Sequence, residues 1–273
     1  MRTRFAPSPT GLLHLGHAFS ALTAWDLAQG AGGEFLLRIE DIDGTRCRPE
    51  YEAAILDDLC WLGLAWPEPV IRQSERLPLY REALERLRSA GLVYPCTCTR
   101  RDIREALAAP QEGASRAAVY PGTCRGRTVL PEDAAWRLDL GRALSLAGPL
   151  YFVETGIEAG RHGVDPDGLM EGIGDVVLAR RDIGTSYHLA VVIDDALQGI
   201  THVVRGMDLF EVTGLHRLLQ ALLDLPVPVW HHHRLIRDAN GRRLAKRDDA
   251  RAIVRYRADG LAPADLRRML AHA

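Results

Sequence analysis

His14-Leu15-Gly16-His17 sets two imidazoles three residues apart, where a loop containing Pro9 and Gly11 gives way to an apolar helical pattern, Leu15, Ala18, Phe19, Leu22 and Trp25. The first turn of a helix presents N–H groups and the positive end of the backbone dipole, which already favour a phosphate. Two imidazoles on one face of that turn can donate hydrogen bonds to a phosphoryl group as its charge grows in a transition state. Gly16 lets the phosphate come close to the backbone. Solvated histidines at a helix start are the plain alternative. A second cluster, Arg243-Leu244-Ala245-Lys246-Arg247, follows the turn-forming Asp238-Ala239-Asn240-Gly241. A loop lysine is a compact cation able to neutralise a triphosphate and its leaving pyrophosphate, whereas an ordinary basic loop would do no chemistry. Lys246 is the only lysine among 34 basic residues, which singles out this loop in a chain that otherwise relies on arginine. Third, Cys96-x-Cys98 and Cys124 offer three thiolates for one metal ion, with zinc the leading candidate and free loop thiols the alternative.

These residues need elements to hold them. Thr3 to Ala6 reads as a short strand broken by Pro7 and Pro9, and Phe35 to Ile39 as another. Helical spacing predicts helices over Glu50 to Leu62 and Leu79 to Ala90, the latter stopped by Gly91. From Tyr94 the chain becomes richer in turn residues, as an inserted subdomain would be. Strands at Tyr151 to Glu154, Val176 to Leu178 and Ile200 to Val204 then precede a helix over Leu209 to Leu223, and two short helical patterns follow Asp249. Strands alternating with helices predict an α/β fold with a parallel sheet.

The chain has 273 residues, 47% hydrophobic and 26% charged, with a net charge of −2. That suits one large globular body or two modest ones and excludes a uniformly basic nucleic-acid coat, so an RNA partner must be held locally. No run approaches the ~18 apolar residues of a membrane span, and the opening residues lack a signal-type apolar core. The expectation is a cytoplasmic protein with no membrane partner. Five cysteines without an export signal argue against a disulfide framework. Cys60, between Leu59 and Trp61, is expected in the core; Cys47 lies outside the metal pattern.

The two phosphate-handling clusters resemble the HIGH and KMSKS signatures of class I aminoacyl-tRNA synthetases. The likeness continues, in the same order, through Arg4-Phe5-Ala6-Pro7-Ser8-Pro9-Thr10-Gly11, Arg38-Ile39-Glu40-Asp41-Ile42-Asp43, Gln73-Ser74-Glu75-Arg76 and Ile200 to Asp208. Over nearly the whole chain these segments are similar to the glutamyl-tRNA synthetase catalytic domain. The resemblance implies a Rossmann-like parallel sheet with an inserted zinc-binding subdomain and a short C-terminal helical segment. Its expected divisions are 1–93 and 171–238 for the two halves of the catalytic domain, 94–170 for the insertion, and 239–273 for the KMSKS-like loop and terminal helices. Only 27 residues follow Lys246, which points to the truncated branch of the family, without an anticodon-binding domain. That branch activates glutamate without tRNA and attaches it to queuosine in tRNA(Asp).

What this implies for the residues is specific. His14, His17 and Lys246 would be catalytic, and with Gly16 and Arg243 they would bind ATP and its Mg²⁺. Arg4, Phe5, Ala6, Pro7, Ser8, Glu40, Tyr187 and Arg205 would bind L-glutamate, the arginines at strand ends taking carboxylates and Glu40 the ammonium. Surface charges for the arginines, pairing near Arg38 for Glu40 and a core role for Tyr187 are the bland readings. Tyr120 would join Cys96, Cys98 and Cys124 around one structural zinc per chain. Arg243 and Ala245 depart from the KMSKS pattern, and Trp230-His231-His232-His233-Arg234 carries more histidines than is usual there. The rivals are a minimal glutamyl-tRNA synthetase charging a 3′ end and a non-catalytic glutamate- or RNA-binding paralogue. The expected assembly state is a monomer.

Overall fold

A computed structural model of the protein describes residues 1–99, 101–103, 119–127, 131, 133–236 and 251–272. In chain order its first half contains β1 (Arg2–Phe5), α1 (Leu15–Gly30), β2 (Glu34–Ile39), α2 (Pro49–Trp61), β3 (Ile71–Arg72), α3 (Leu77–Ser89) and β4 (Val93–Cys96). There follow β5 (Ala135–Leu138), α4 (Leu140–Ala147), β6 (Tyr151–Glu154), β7 (Gly160–Gly163), α5 (Pro166–Gly172), β8 (Val177–Ala179) and α6 (Tyr187–Leu197). The last elements are β9 (His202–Gly206), α7 (Thr213–Leu222), β10 (Val229–His233), α8 (Ile253–Ala258) and α9 (Pro263–His272).

Two parallel groups of strands meet side by side. In one, β1 pairs with β2 and β2 with β3; in the other, β10 lies between β9 and β6, with β7 antiparallel on the outer edge. They join where β1 runs beside β9, tied by the Thr201 N–H donating to the Arg2 carbonyl at 3.0 Å. Strands buried on both faces are what a parallel sheet covered by helices requires, and Thr3, Arg4 and Phe5 are all buried. The buried face of α1 carries Ala18, Ala21, Ala24 and Ala28 among its residues, side chains small enough to let the helix sit close to β1. Helix α2 opens with Pro49 and two acidic residues in its first turn, Glu50 and Glu52, which suits the positive end of its dipole.

The parallel α/β core agrees with the expectation, but three readings change. Strands β4, β5 and β8 form a separate antiparallel sheet, so alternation with helices did not make every strand parallel. The strand expected over Ile200 to Val204 runs instead over His202–Gly206, so that it carries Arg205, and it is not the last, because β10 follows it. Cys60 is exposed: α2 turns Ile55, Asp58 and Leu59 inward, and the next residue, about 100° further round, faces out.

Candidate active site

The strand order reverses between β1 and β9, and in open α/β sheets the crevice at the carboxyl ends of such strands is where ligands bind. A cavity of about 370 Å³ lies there. Arg4, Phe5, Ala6 and Ser8 line it from β1 and the loop beyond, Glu40 from the end of β2, Tyr187 from the start of α6 and Arg205 from β9. Of the residues expected to hold glutamate only Pro7 is off the wall. Its carbonyl accepts from the Glu40 N–H at 3.0 Å, fixing the backbone from which Glu40 projects. His17 and Ser20 of α1 close another side; Ser20 was not expected.

The two arginines are held differently. Arg4 makes a bidentate bond to Asp195, from Nε to Oδ1 at 2.9 Å and from Nη2 to Oδ2 at 3.3 Å, and donates to the Val204 carbonyl. Asp195 also accepts from Arg38 at 2.8 Å, and Arg38 reaches Glu40 at 3.2 Å. Burial pushes the Asp195 carboxyl up, but Arg4 and Arg38 outweigh it and hold it below its ordinary range. Glu40 moves the other way: burial raises it, against the pull of Arg38 and Arg4. Arg205 forms no ion pair with a carboxylate among the described residues and donates to His232, His216, Thr213 and the Leu209 carbonyl. The pocket wall thus carries two guanidinium groups and one carboxyl group, the kinds of group that would complement an acidic amino acid.

Beside it, His14 caps α1. Its Nδ1 accepts from the Gly16 N–H at 3.1 Å, while His17 Nδ1 accepts from the His14 N–H at 3.2 Å. An imidazole whose Nδ1 accepts carries its proton on Nε2 when neutral. Both rings are therefore set to donate from Nε2, and their centroids are 3.8 Å apart. The Arg243 to Arg247 loop, with Lys246, lies outside the described residues. Its flanks do not: Ile236 and Ile253 are both buried in the core beneath α1, and Ala252 forms an antiparallel bridge with His14.

A larger cavity of about 530 Å³ shares Ser8, Glu40 and Tyr187 with the first and extends toward Asp43, Arg46 and Arg180. Further along the chain, the ligand atoms of Cys96, Cys98 and Cys124 all lie within 4.8 Å of one another. The Tyr120 hydroxyl is 3.4 Å from Cys96 Sγ and 3.5 Å from Cys98 Sγ, and Cys98 and Cys124 sulfurs are 3.4 Å apart. Ligands of a tetrahedral zinc would be about 3.5–3.8 Å apart, so this donor set fits such an ion. Burial opposes ionisation of Cys124, but the Tyr120 hydroxyl and neighbouring donors bring its thiol down to about 6.

The family described as tRNA synthetases class I (E and Q), catalytic domain, matches residues 1–136 and 159–273. The chain belongs to that family. Among similar class I synthetases is the glutamyl-Q tRNA(Asp) synthetase of Rhodobacter capsulatus, 60% identical over 99% of this chain and 99% of the relative. That of Symbiobacterium thermophilum is 44% identical over 95% of this chain and 82% of its own length. The crystal structure of a glutamate tRNA ligase from Elizabethkingia meningosepticum in complex with its amino acid superposes with a TM-score of 0.78 at 28% identity. The match covers 99% of this chain, which spans only 60% of that ligase. Mycobacterium tuberculosis methionyl-tRNA synthetase bound by methionyl-adenylate shares the fold, with a TM-score of 0.63 at 12% identity, over 98% of this chain and 63% of its own.

The pairing of Glu40 with Arg38, the bland reading of that acid, is present at 3.2 Å; the supports that the sequence does not announce are Asp195, His216, His232 and Glu154. Two signals were available. Asp194-Asp195 interrupts an otherwise apolar helix, and the histidine run at 231–233 fits no simple strand pattern. Among the described residues no helix is long and apolar enough to cross a membrane.

Proposed function

We propose that this class I synthetase domain activates L-glutamate with ATP, without needing tRNA, and then transfers the glutamyl group to queuosine in the anticodon loop of tRNA(Asp). The observation that carries the reading is the convergence of Arg4, Glu40 and Arg205 on one cavity at the strand-order switch, beside the histidine corner. An acidic amino acid has two carboxylates and one ammonium, and the pocket supplies the complementary charges. The names of the relatives in Rhodobacter and Symbiobacterium support the RNA acceptor.

In the first step the α-carboxylate oxygen attacks the α-phosphorus of ATP in line, forming the acyl–phosphate bond as the bond to pyrophosphate breaks. No protein nucleophile is needed. His14 and His17 donate to phosphate oxygens, the Gly16 backbone allows their close approach, and Arg243 and Lys246 neutralise the pyrophosphate, whose Mg²⁺ enters with ATP. Positioning and charge stabilisation account for most catalysis of such transfers. In the second step a nucleophile on the modified nucleoside attacks the activated carbonyl, giving up its proton as AMP leaves. The larger adjoining cavity, about 530 Å³, shares Glu40 and Tyr187 with the amino-acid pocket and would receive that nucleoside.

Cys96, Cys98, Cys124 and Tyr120 would hold one zinc ion, which serves the structure of the insertion. Glutamate-dependent exchange of pyrophosphate into ATP, measured with no RNA present, tests the activation step. Exchange that requires glutamate supports it; exchange only on addition of tRNA overturns it.

A further inference from the structure

Arg205 sits directly across the sheet from His232, which occupies the partnered position on β10. Its Nε donates to His232 Nε2 at 3.0 Å, and its Nη1 meets His216 Nδ1 on α7 at 2.9 Å. Guanidinium nitrogens only donate, so each imidazole nitrogen facing Arg205 must be unprotonated. That requirement propagates outward. His232 carries its proton on Nδ1 and gives it to Glu154 Oε2 at 2.5 Å, while Glu154 Oε1 accepts the His232 backbone N–H at 2.8 Å. His216 carries its proton on Nε2, 3.1 Å from His188 Nδ1. Arg205, His216, His232 and Glu154 are all buried. Gly156 allows β6 to deliver Glu154 there, because a Cβ at that position would lie 2.2 Å from the His232 carbonyl oxygen.

We propose that His216 and His232 are positioning residues that fix the Arg205 guanidinium through neutral acceptors alone, so that its charge stands uncancelled at the cavity wall and selects a carboxylate over the corresponding amide. The contrast is Arg4, whose charge Asp195 already balances at 2.9 Å. Burial and the nearby Arg4 cation leave Arg205 a less stable cation than usual, with Tyr187 and Asp195 opposing; a substrate carboxylate relieves that cost. Glu154 sets which nitrogen of His232 faces Arg205, and His188 does the same for His216. The carboxylate itself stands one imidazole away, where it orients the ring without pairing with Arg205.

This rests on the reading of Arg205 as an anchor for a glutamate carboxylate, and the two can be separated. Glutamate affinity by calorimetry, and KM and kcat in pyrophosphate exchange with glutamate and with glutamine, are compared for Arg205→Gln, His216→Asn, His216→Asp and His216→Phe. Asparagine puts an acceptor oxygen where Nδ1 was and should keep glutamate KM within about threefold of the parent. Aspartate keeps an acceptor but cancels the charge, and phenylalanine removes the acceptor. Both should raise glutamate KM by about tenfold or more, the usual worth of a charged hydrogen bond, with kcat little changed. In His216→Asp the preference for glutamate over glutamine should also shrink. If Arg205→Gln loses glutamate while His216→Asp binds it like the parent, the cradle is wrong and the anchor stands. If Arg205→Gln binds glutamate normally, both fall. Nitrogen-15 spectra of the unaltered protein should show neutral His216 protonated on Nε2 and His232 on Nδ1. A proton on either nitrogen facing Arg205 overturns the proposal.

Discussion

Ala252 forms an antiparallel backbone bridge with His14, and the next residue, Ile253, donates its N–H to the Leu13 carbonyl at 2.9 Å. The residues that follow Arg243 and Lys246 in the chain are thereby tied to the start of the histidine corner. Helices α8 and α9 reinforce the tie by burying Ile253, Leu266 and Leu270 in the core under α1.

From that tether follows a prediction for the lone lysine. Lys246→Ala should slow pyrophosphate exchange by roughly two to three orders of magnitude if, as proposed, the loop cation neutralises the departing pyrophosphate. Thermal unfolding should be unchanged, because Ile236 and Ile253, on either side of the loop, supply buried anchors that the substitution leaves in place. Exchange at the parental rate would remove Lys246 from the reaction.

Asp195 is the counter-ion of two buried arginines, Arg4 at 2.9 Å and Arg38 at 2.8 Å. Truncating one member of such a pair leaves buried charge uncompensated, at a cost of about 3–5 kcal/mol. Asp195→Ala should lose that much stability in urea denaturation and bind glutamate weakly, because Arg4 loses its bearing. A loss under about 1 kcal/mol would mean that water replaces the carboxylate and the network is not rigid.

The thiol cluster predicts metal content. The purified protein should hold about one zinc ion per chain by elemental analysis, and Cys124→Ser should hold well under half of that. Chelation should lower the melting temperature. Asp175, fully buried, joins the cluster's surroundings to the core by accepting from Tyr94 at 2.5 Å, Arg125 at 2.6 Å and the Leu140 N–H at 3.0 Å. Full zinc occupancy in Cys124→Ser would exclude that thiolate as a ligand.

Asp58 gives a pH signature unrelated to the pocket. Burial, with Asp57 adding and Arg257 opposing, raises its carboxyl from 3.8 to about 6. The folded protein therefore holds a proton that the unfolded chain releases between those values. This group favours folding fully below about 3.8, and its contribution is lost as pH rises through about 6. Asp58→Asn should consequently gain on the order of 1–3 kcal/mol at pH 7.5 and nothing near pH 4. Equal effects at both pH values would place the carboxylate in contact with water.

Local chemistry was readable from the sequence and long-range partnership was not. His14 and His17 announce themselves by spacing on a single helix turn, and Cys96, Cys98 and Cys124 by residue type. Arg4, Glu40, Tyr187 and Arg205 were placed by resemblance and do meet in one cavity. Asp195 stayed hidden because its partner Arg4 is 191 residues away, and no periodicity inside α6 tells what its buried acid faces. Strand β10 was missed for a related reason. His231, His232 and His233 lack the apolar alternation of a strand, and His232 and His233 are buried because they serve Arg205 and the core under α1, not because they are hydrophobic. The short β4, β5 and β8 strands lie among turn residues that mask their pairing. Cys60 shows the converse error, since its apolar neighbours in sequence do not share its face of α2.

Transfer of ATP-activated glutamate to a modified base in tRNA(Asp) can be followed directly by where the label ends up. Radiolabelled glutamate, ATP and the protein are incubated with tRNA(Asp) carrying queuosine, with the same tRNA lacking it, and with tRNA(Glu). Label is then assigned by nuclease digestion to the anticodon nucleoside or to the 3′ end. Label should appear on the queuosine nucleoside of tRNA(Asp) alone. Label on the 3′ end of tRNA(Glu), or on tRNA(Asp) without queuosine, would contradict it.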